Sequence, residues 1–297
     1  MNYVSFPNSN DKISILGLGA MLLSLSNRPS EDVSIRIIHR TLDLGVNLID
    51  TADAYCIDES DKHHNERLIA KALKSYKGEA DVDKVIVATK GGLMRPNGSW
   101  IVNGDPIHLR QTIKESYDAL GGSKPIPLWQ LHAIDPNFSI EESFSAVKEA
   151  VDKGLIKHVG VSNFNVEQIK RANRIVPIVS VQNQYNPWFR VSEKNGVLEY
   201  CEKQGIIFLP WSPVGGSYRY KKLLEVKPLA DLASNKSCTV YELILAWIRL
   251  KAPSCVVPIP GATKISSIES SVKSLNINLN NDEMKFIDNI SDKLSSS

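Results

Sequence analysis

The chain has little that would tie it to a membrane, a nucleic acid or an oxidising compartment. No apolar run approaches the ~18 residues of a membrane span, and the longest are of strand length. A net charge of +2 supplies no field for a polyanion. The four cysteines, Cys56, Cys201, Cys238 and Cys255, are far apart and form no CxxC pair. That spacing excludes a zinc knuckle or disulfide framework and suits reduced thiols. The first residues, MNYVSFPNSNDK, have neither the basic start nor the ~7–15-residue apolar stretch of a secretory signal. The expectation is a soluble cytoplasmic protein without nucleic-acid or membrane partners. With 297 residues, 42% of them hydrophobic and 23% charged, it is long enough for a large core.

What is present is a repeat of short apolar runs, each followed by an amphipathic stretch. The runs cover 13–21, 46–50, 84–90, 127–133, 158–163, 178–185, 206–212 and 255–262. They are continuous rather than alternating, as in parallel strands buried on both faces. Helices are predicted over 31–44, 64–76, 107–120, 140–153, 165–174, 193–204, 239–250 and 265–274. Ser30 or Glu31 opens the first, and Thr239-x-x-Glu242 is a capping box for the seventh. Gly45, Gly121–Gly122, Gly154 and Gly205 sit where helices end in a left-handed residue. Residues 214–236 form an excursion after the seventh strand, and 280–292 an additional terminal helix.

Eight strand–helix units in one direction predict a single (β/α)8 TIM barrel, class α/β, spanning residues 1–297 as one domain. Gly17-x-Gly19 hints at a Rossmann-type sheet instead, but no third glycine follows at the right offset and no helix follows it.

In a barrel the C-terminal ends of the strands converge on one mouth. Here those ends carry Asp50, Lys90, His132, Ser162–Asn163, Gln182–Asn183–Gln184 and Trp211–Ser212. Asp50 and Lys90, on neighbouring strands, read alone as a rim salt bridge. With Tyr55 five residues beyond Asp50 they gain a chemical reading. A lysine cation beside a phenol stabilises the phenolate and lowers its pKa, making Tyr55 a general acid. Asp50 then holds Lys90, and His132 orients a substrate oxygen.

These segments resemble the aldo-keto reductase superfamily. The resemblance is carried by Gly45-Val-Asn-Leu-Ile-Asp50-Thr-Ala-Asp-Ala-Tyr55, Asn65-Glu66, Val87-Ala-Thr-Lys90 and Leu128-Trp-Gln-Leu-His132. It continues through Gly160-Val-Ser162-Asn163-Phe164, Val181-Gln182-Asn-Gln-Tyr185, Trp211-Ser212-Pro213 and Pro258-Ile-Pro260-Gly261. It implies an NADPH-dependent oxidoreductase that reduces the carbonyl of an aldehyde or ketone, with Asp50, Tyr55, Lys90 and His132 as catalytic tetrad. Ser162, Asn163 and Gln182 then hold the nicotinamide carboxamide and Trp211 stacks on its ring. Met21, Ser212, Pro213, Gly215 and Gly261 line the dinucleotide. A monomer is the default for this architecture, and no metal is implied.

The adenine end departs from the family pattern. Where relatives that prefer NADPH carry an arginine and a Glu-Asn pair, this chain has Ser267 and then Glu269-Ser270-Ser271. Lys264, with Thr263 and Ser267, is left to meet a 2′-phosphate. Trp100, Trp188, Phe189, Tyr218 and Tyr220 are candidates for substrate wall or core. Cys56 is either a redox-sensitive thiol or part of the pocket wall. Two other functions stay open: an NADPH-binding regulatory subunit of a channel-like partner, and a Schiff-base aldolase through Lys90.

Overall fold

The computed structural model describes residues 1–295, apart from the side chains of Ser217 and Tyr218. Seven parallel strands follow one another around a curled sheet in chain order: β1 (Leu18–Gly19), β2 (Leu48–Asp50), β3 (Ile86–Gly91), β4 (Ile126–Leu131), β5 (Ile156–Ser162), β6 (Ile178–Gln182) and β7 (Ile207–Phe208). The extended stretch 255–261 closes the circle. On one side Phe208 N–H donates to Cys255 O and Val257 N–H to Phe208 O, each at 2.9 Å. On the other, Gly17 and Gly19 N–H donate to Pro258 O and Pro260 O, again at 2.9 Å. The two prolines have no N–H to return toward β1, so this eighth strand carries a sparse ladder. The (β/α)8 expectation is met.

The helices between strands are α1 (Glu31–Asp43), α2 (His64–Ser75), α3 (Pro106–Ala119), α4 (Ile140–Asp152), α5 (Val166–Asn173), α6 (Val197–Gln204), α7 (Val240–Leu250) and α8 (Ile265–Lys273), with α9 (Asn281–Ser295) at the end. Ser30 caps α1 by accepting from Val33 N–H, and the Thr239/Glu242 box caps α7. The helix expected over 193–204 is two pieces, Val191–Lys194 and α6. Gly196 between them has φ +81, which no helix continues through. The excursion after β7 holds its own helix, Lys227–Asn235.

The run 13–21 also divides. Lys12–Ser14 pairs antiparallel with Tyr3–Ser5, and only Leu18–Gly19 enters the barrel. This hairpin lowers Phe6 and Ile13 onto the interior side chains Leu48, Ile86, Leu128, Val179, Ile207 and Val257. It is the barrel's floor. Higher up, Gln130 and Ser180 share a hydrogen bond of 3.2 Å across the interior. A Cβ on Gly160 would lie 2.1 Å from Ser180 Oγ, so only glycine leaves room for that polar layer.

Phe6 is 1% exposed and at the end of the barrel away from the strand termini. Phe6→Ala should lower unfolding free energy by ~3–5 kcal/mol, read by denaturant titration. Turnover of the surviving folded protein should change little, and equal loss of both would deny the hairpin its purely supporting role.

Candidate active site

Lys90 is fully buried and its ammonium meets three acceptors. Asp50 Oδ2 and the Thr51 carbonyl lie at 2.8 Å and Tyr55 Oη at 2.9 Å. The other Asp50 oxygen accepts from Gln182 Nε2 at 2.7 Å. β2, β3 and β6 therefore contribute to one bonded cluster, and the turn after β2 adds Tyr55. Burial works against the Lys90 ammonium, but Asp50 and Tyr55 outweigh it and raise its pKa. Burial raises Asp50 against the pull of Lys90. Tyr55 is likewise raised by burial, with Lys90 pulling the other way. The expected net lowering of Tyr55 is thus reversed in the resting site, because loss of hydration costs the phenolate more than one partly neutralised cation returns.

His132 follows β4 and meets Tyr55 edge-on, ring centroids 5.8 Å apart. Burial and the nearby Lys90 hold its pKa well below the ordinary value, so the ring is neutral. Its Nδ1 has no partner among the described residues. Beside it, Asn163 donates to the His132 carbonyl at 3.0 Å and to Ser162 Oγ at 3.1 Å. Trp211 Nε1 donates to Asn163 Oδ1 at 3.1 Å, which fixes the indole at the mouth. Asn163 (φ 63) and Ser212 (φ 49) take left-handed backbone conformations where their strands turn out of the barrel.

Met21 opens a short 3-10 turn after β1, Pro213 is buried, and Gly215 has φ +92. Gly261 bridges to Gly19 at the barrel seam. Lys264 and Ser267 are not joined to the Asp50–Lys90–Tyr55 cluster. They begin α8, where Ser267 N–H reaches the Lys264 carbonyl at 3.1 Å. No side chain caps this helix, unlike α1, α4, α5 and α7. Lys264 is exposed and joins no ion pair among the described residues. Glu269 and Ser270 face neighbouring helices, bonded to Arg40 and Glu242 at 2.8 and 2.7 Å.

Of the aromatic candidates, Trp100 lies beside Tyr55 at 6.4 Å between centroids. Trp188 packs partly buried on the main core and Phe189 is exposed. Tyr220 stands against Tyr241 at 6.1 Å, and the Tyr218 side chain is outside the described residues. Cys56 is buried and its pKa is pushed up to about 12 by burial, so it is a poor nucleophile. At the start of α2, His63 meets Glu66 and Glu115, whereas His64 meets Ser24.

Sequence reasoning missed Asp53. It is fully buried two residues before Tyr55, and neither carboxylate oxygen accepts a well-formed hydrogen bond among the described residues. Burial, reinforced by the Glu66 charge, pushes it up to about 7. Glu66 in turn accepts from Thr89 Oγ1 and His63 Nδ1, each at 2.5 Å. The Asp-Thr-Ala-Asp-Ala-Tyr string contained the signal: a second acid between small apolar residues cannot be a solvated one.

The chain matches the aldo/keto reductase family model over residues 15–292. It is 37% identical over 280 residues to an uncharacterized oxidoreductase of Schizosaccharomyces pombe, covering 92% of this chain and 85% of that protein. Among solved structures, a thermostable aldo-keto reductase in complex with the inhibitor epalrestat is similar at a TM-score of 0.82 and 27% identity, covering 98% of this chain and all of the other. The glycerol dehydrogenase of Gluconobacter oxydans shares the fold at a TM-score of 0.83 and 24% identity, covering 99% of this chain and 96% of its own. The chain belongs to the aldo/keto reductase family. Membership makes it an oxidoreductase of carbonyl compounds that works with a nicotinamide cofactor.

The folded protein keeps the Asp53 proton up to about pH 7, whereas an unperturbed carboxyl releases it near 3.8. Between those values the folded state binds the extra proton, so stability falls as pH rises through the window. Asp53→Asn removes that loss. Its Tm relative to wild type should rise from about pH 4 to pH 7 and level off above. A difference that stays constant with pH would mean that Asp53 is ionised in the fold throughout.

Proposed function

We propose that the protein reduces the carbonyl of an aldehyde or ketone at the expense of NADPH, with Tyr55 as the proton donor. The observation that carries this is the saturation of the Lys90 ammonium. All three of its protons are engaged, and one is given to Tyr55 Oη. Tyr55 therefore accepts on that side and must aim its own proton elsewhere, and His132 flanks the ring. Burial keeps the phenol protonated until an oxygen basic enough to take the proton forms beside it.

The residues fit a dinucleotide. Ser162 and Asn163 offer hydroxyl and amide groups beside Trp211, a ring already braced at the mouth. Gln182 gives its Nε2 to Asp50, and its Oε1 accepts no hydrogen bond among the described residues. Ser212, Pro213 and Gly215 supply a tight backbone turn, with Met21 and Gly261 bordering the seam between β1 and the eighth strand. Lys264, Ser267 and the uncapped N-terminus of α8 suit a phosphate. When bound, the nicotinamide supplies the hydride.

This chain's residues do the rest. Tyr55 and the neutral His132 donate hydrogen bonds to the substrate oxygen as its negative charge grows, and Tyr55 then releases its proton to it. Lys90 stabilises the phenolate left behind. Asp50, itself held by Gln182, fixes Lys90. The Schiff-base alternative needs a neutral lysine nucleophile, and Lys90 is a fully bonded cation with a raised pKa.

Aldehyde-dependent loss of NADPH absorbance is the test. Tyr55→Phe should lower kcat by at least ~100-fold while NADPH binding, followed by fluorescence, changes little. The kcat/KM ratio for NADPH over NADH should exceed one and fall in Lys264→Ala. Near-normal turnover in Tyr55→Phe would remove the proton-donor role, and a wild-type ratio at or below one would remove the NADPH preference. No turnover on any carbonyl, with tight NADPH binding, would favour a regulatory subunit.

A further inference from the structure

Arg95 is 6% exposed, yet it joins no ion pair among the described residues. Its Nη2 donates to the Ile57 carbonyl at 3.2 Å, while Nε and Nη1 are buried without a partner. The nearby carboxylates are occupied. Glu59 accepts the backbone N–H of Arg95, Asp58 is taken by Ser60, and Asp61 by Arg28. The guanidinium stacks on the Trp100 ring, its carbon 3.7 Å from the centroid. The same indole meets Tyr55 edge-on. Stacking uses the face of a guanidinium and leaves its edges, where the N–H groups point, for hydrogen bonds.

Burying a guanidinium without partners for its donors is costly, and one cation–π contact does not offset that cost. Its place explains it. Arg95 and Trp100 open and close the loop of the short hairpin formed by Leu93–Met94 and Ile101–Val102 after β3, the strand that carries Lys90. At the reaction centre itself Asp50 balances Lys90, and His132 is neutral. Arg95 is thus a cation one indole away from Tyr55 whose Nε and Nη1 are unbonded among the described residues, although Asp58 and Glu59 lie nearby.

We infer that Arg95 is an anion-recognition residue, and that the substrate is a carbonyl compound bearing a carboxylate or phosphate across a spacer about as wide as an aromatic ring. The carbonyl meets Tyr55, the spacer lies along Trp100, and the anion takes the free guanidinium edge as a charge-assisted fork. Trp100 is 46% exposed, so its outer part is free to border such a spacer. This inference rests on the reductase reading above and names its substrate class.

The test compares 4-carboxybenzaldehyde with its neutral isostere 4-formylbenzamide, and adds 4-formylphenyl phosphate to separate the two anions. In wild type, kcat/KM should favour an anionic aldehyde over the amide by about tenfold or more. That ratio should shrink as salt is raised. Arg95→Met should bring it close to one, and Arg95→Lys should restore part of it. Should Arg95→Met fail to fold, the wild-type ratio and its salt dependence decide alone. Turnover of the amide equal to or faster than both anions overturns the inference and leaves the reductase reading standing. Failure of all three aldehydes while other carbonyls consume NADPH also overturns the inference, and failure of every carbonyl removes the reductase reading instead.

Discussion

A lysine with no exposed surface must find an acceptor for each ammonium proton, or its burial would unfold the barrel around it. In this protein the three acceptors are Asp50, the Thr51 carbonyl and Tyr55 Oη. Much of the surrounding architecture follows from that demand. Asp50 must end β2 beside β3, and Gln182 must reach across the mouth from β6 to hold the second carboxylate oxygen. The turn after β2 must then fold back so that Tyr55 meets the same nitrogen. One ion's coordination ties three strands and a loop into a fixed figure.

The figure also sets the charge of the mouth. Lys90 and Asp50 cancel, burial keeps Tyr55 protonated, and Lys90 helps keep His132 neutral. What remains is a near-neutral, buried site with one aimed phenol. Its reactivity comes from position more than from a shifted resting pKa. Lys90 earns its role when the phenol gives up its proton, because only then is there a second anion for the cation to stabilise.

The strands were legible because parallel strands buried on both faces read as unbroken apolar runs, and their polar last residues marked the mouth. Asp50, Lys90 and Tyr55 were legible as a group because Tyr55 follows Asp50 by five residues and Lys90 ends the adjacent strand. The floor hairpin was not, since Lys12–Ser14 merges in sequence with the strand that follows it. Nor was the Gln182–Asp50 bond, which joins residues 132 positions apart. Asp53 was hidden for another reason. Its small apolar neighbours point to burial, but the Glu66 charge from α2 that completes its setting comes only with the fold.

Reaction and substrate are written on different parts of the chain. The groups at the chemical centre stand at strand ends, where hydrogen-bond ladders hold the backbone. Arg95 and Trp100 stand on a two-residue hairpin whose strands are too short to show any alternation. Only the fold brings that hairpin over Tyr55. An arginine read from sequence is a surface residue until something shows it buried, and this one is buried with its donors unspent. Stability alone gives no reason to keep a bare guanidinium under an indole, since a methionine would fill the same space at lower cost. On the inference drawn above, the group that completes the charge is the anion of the substrate.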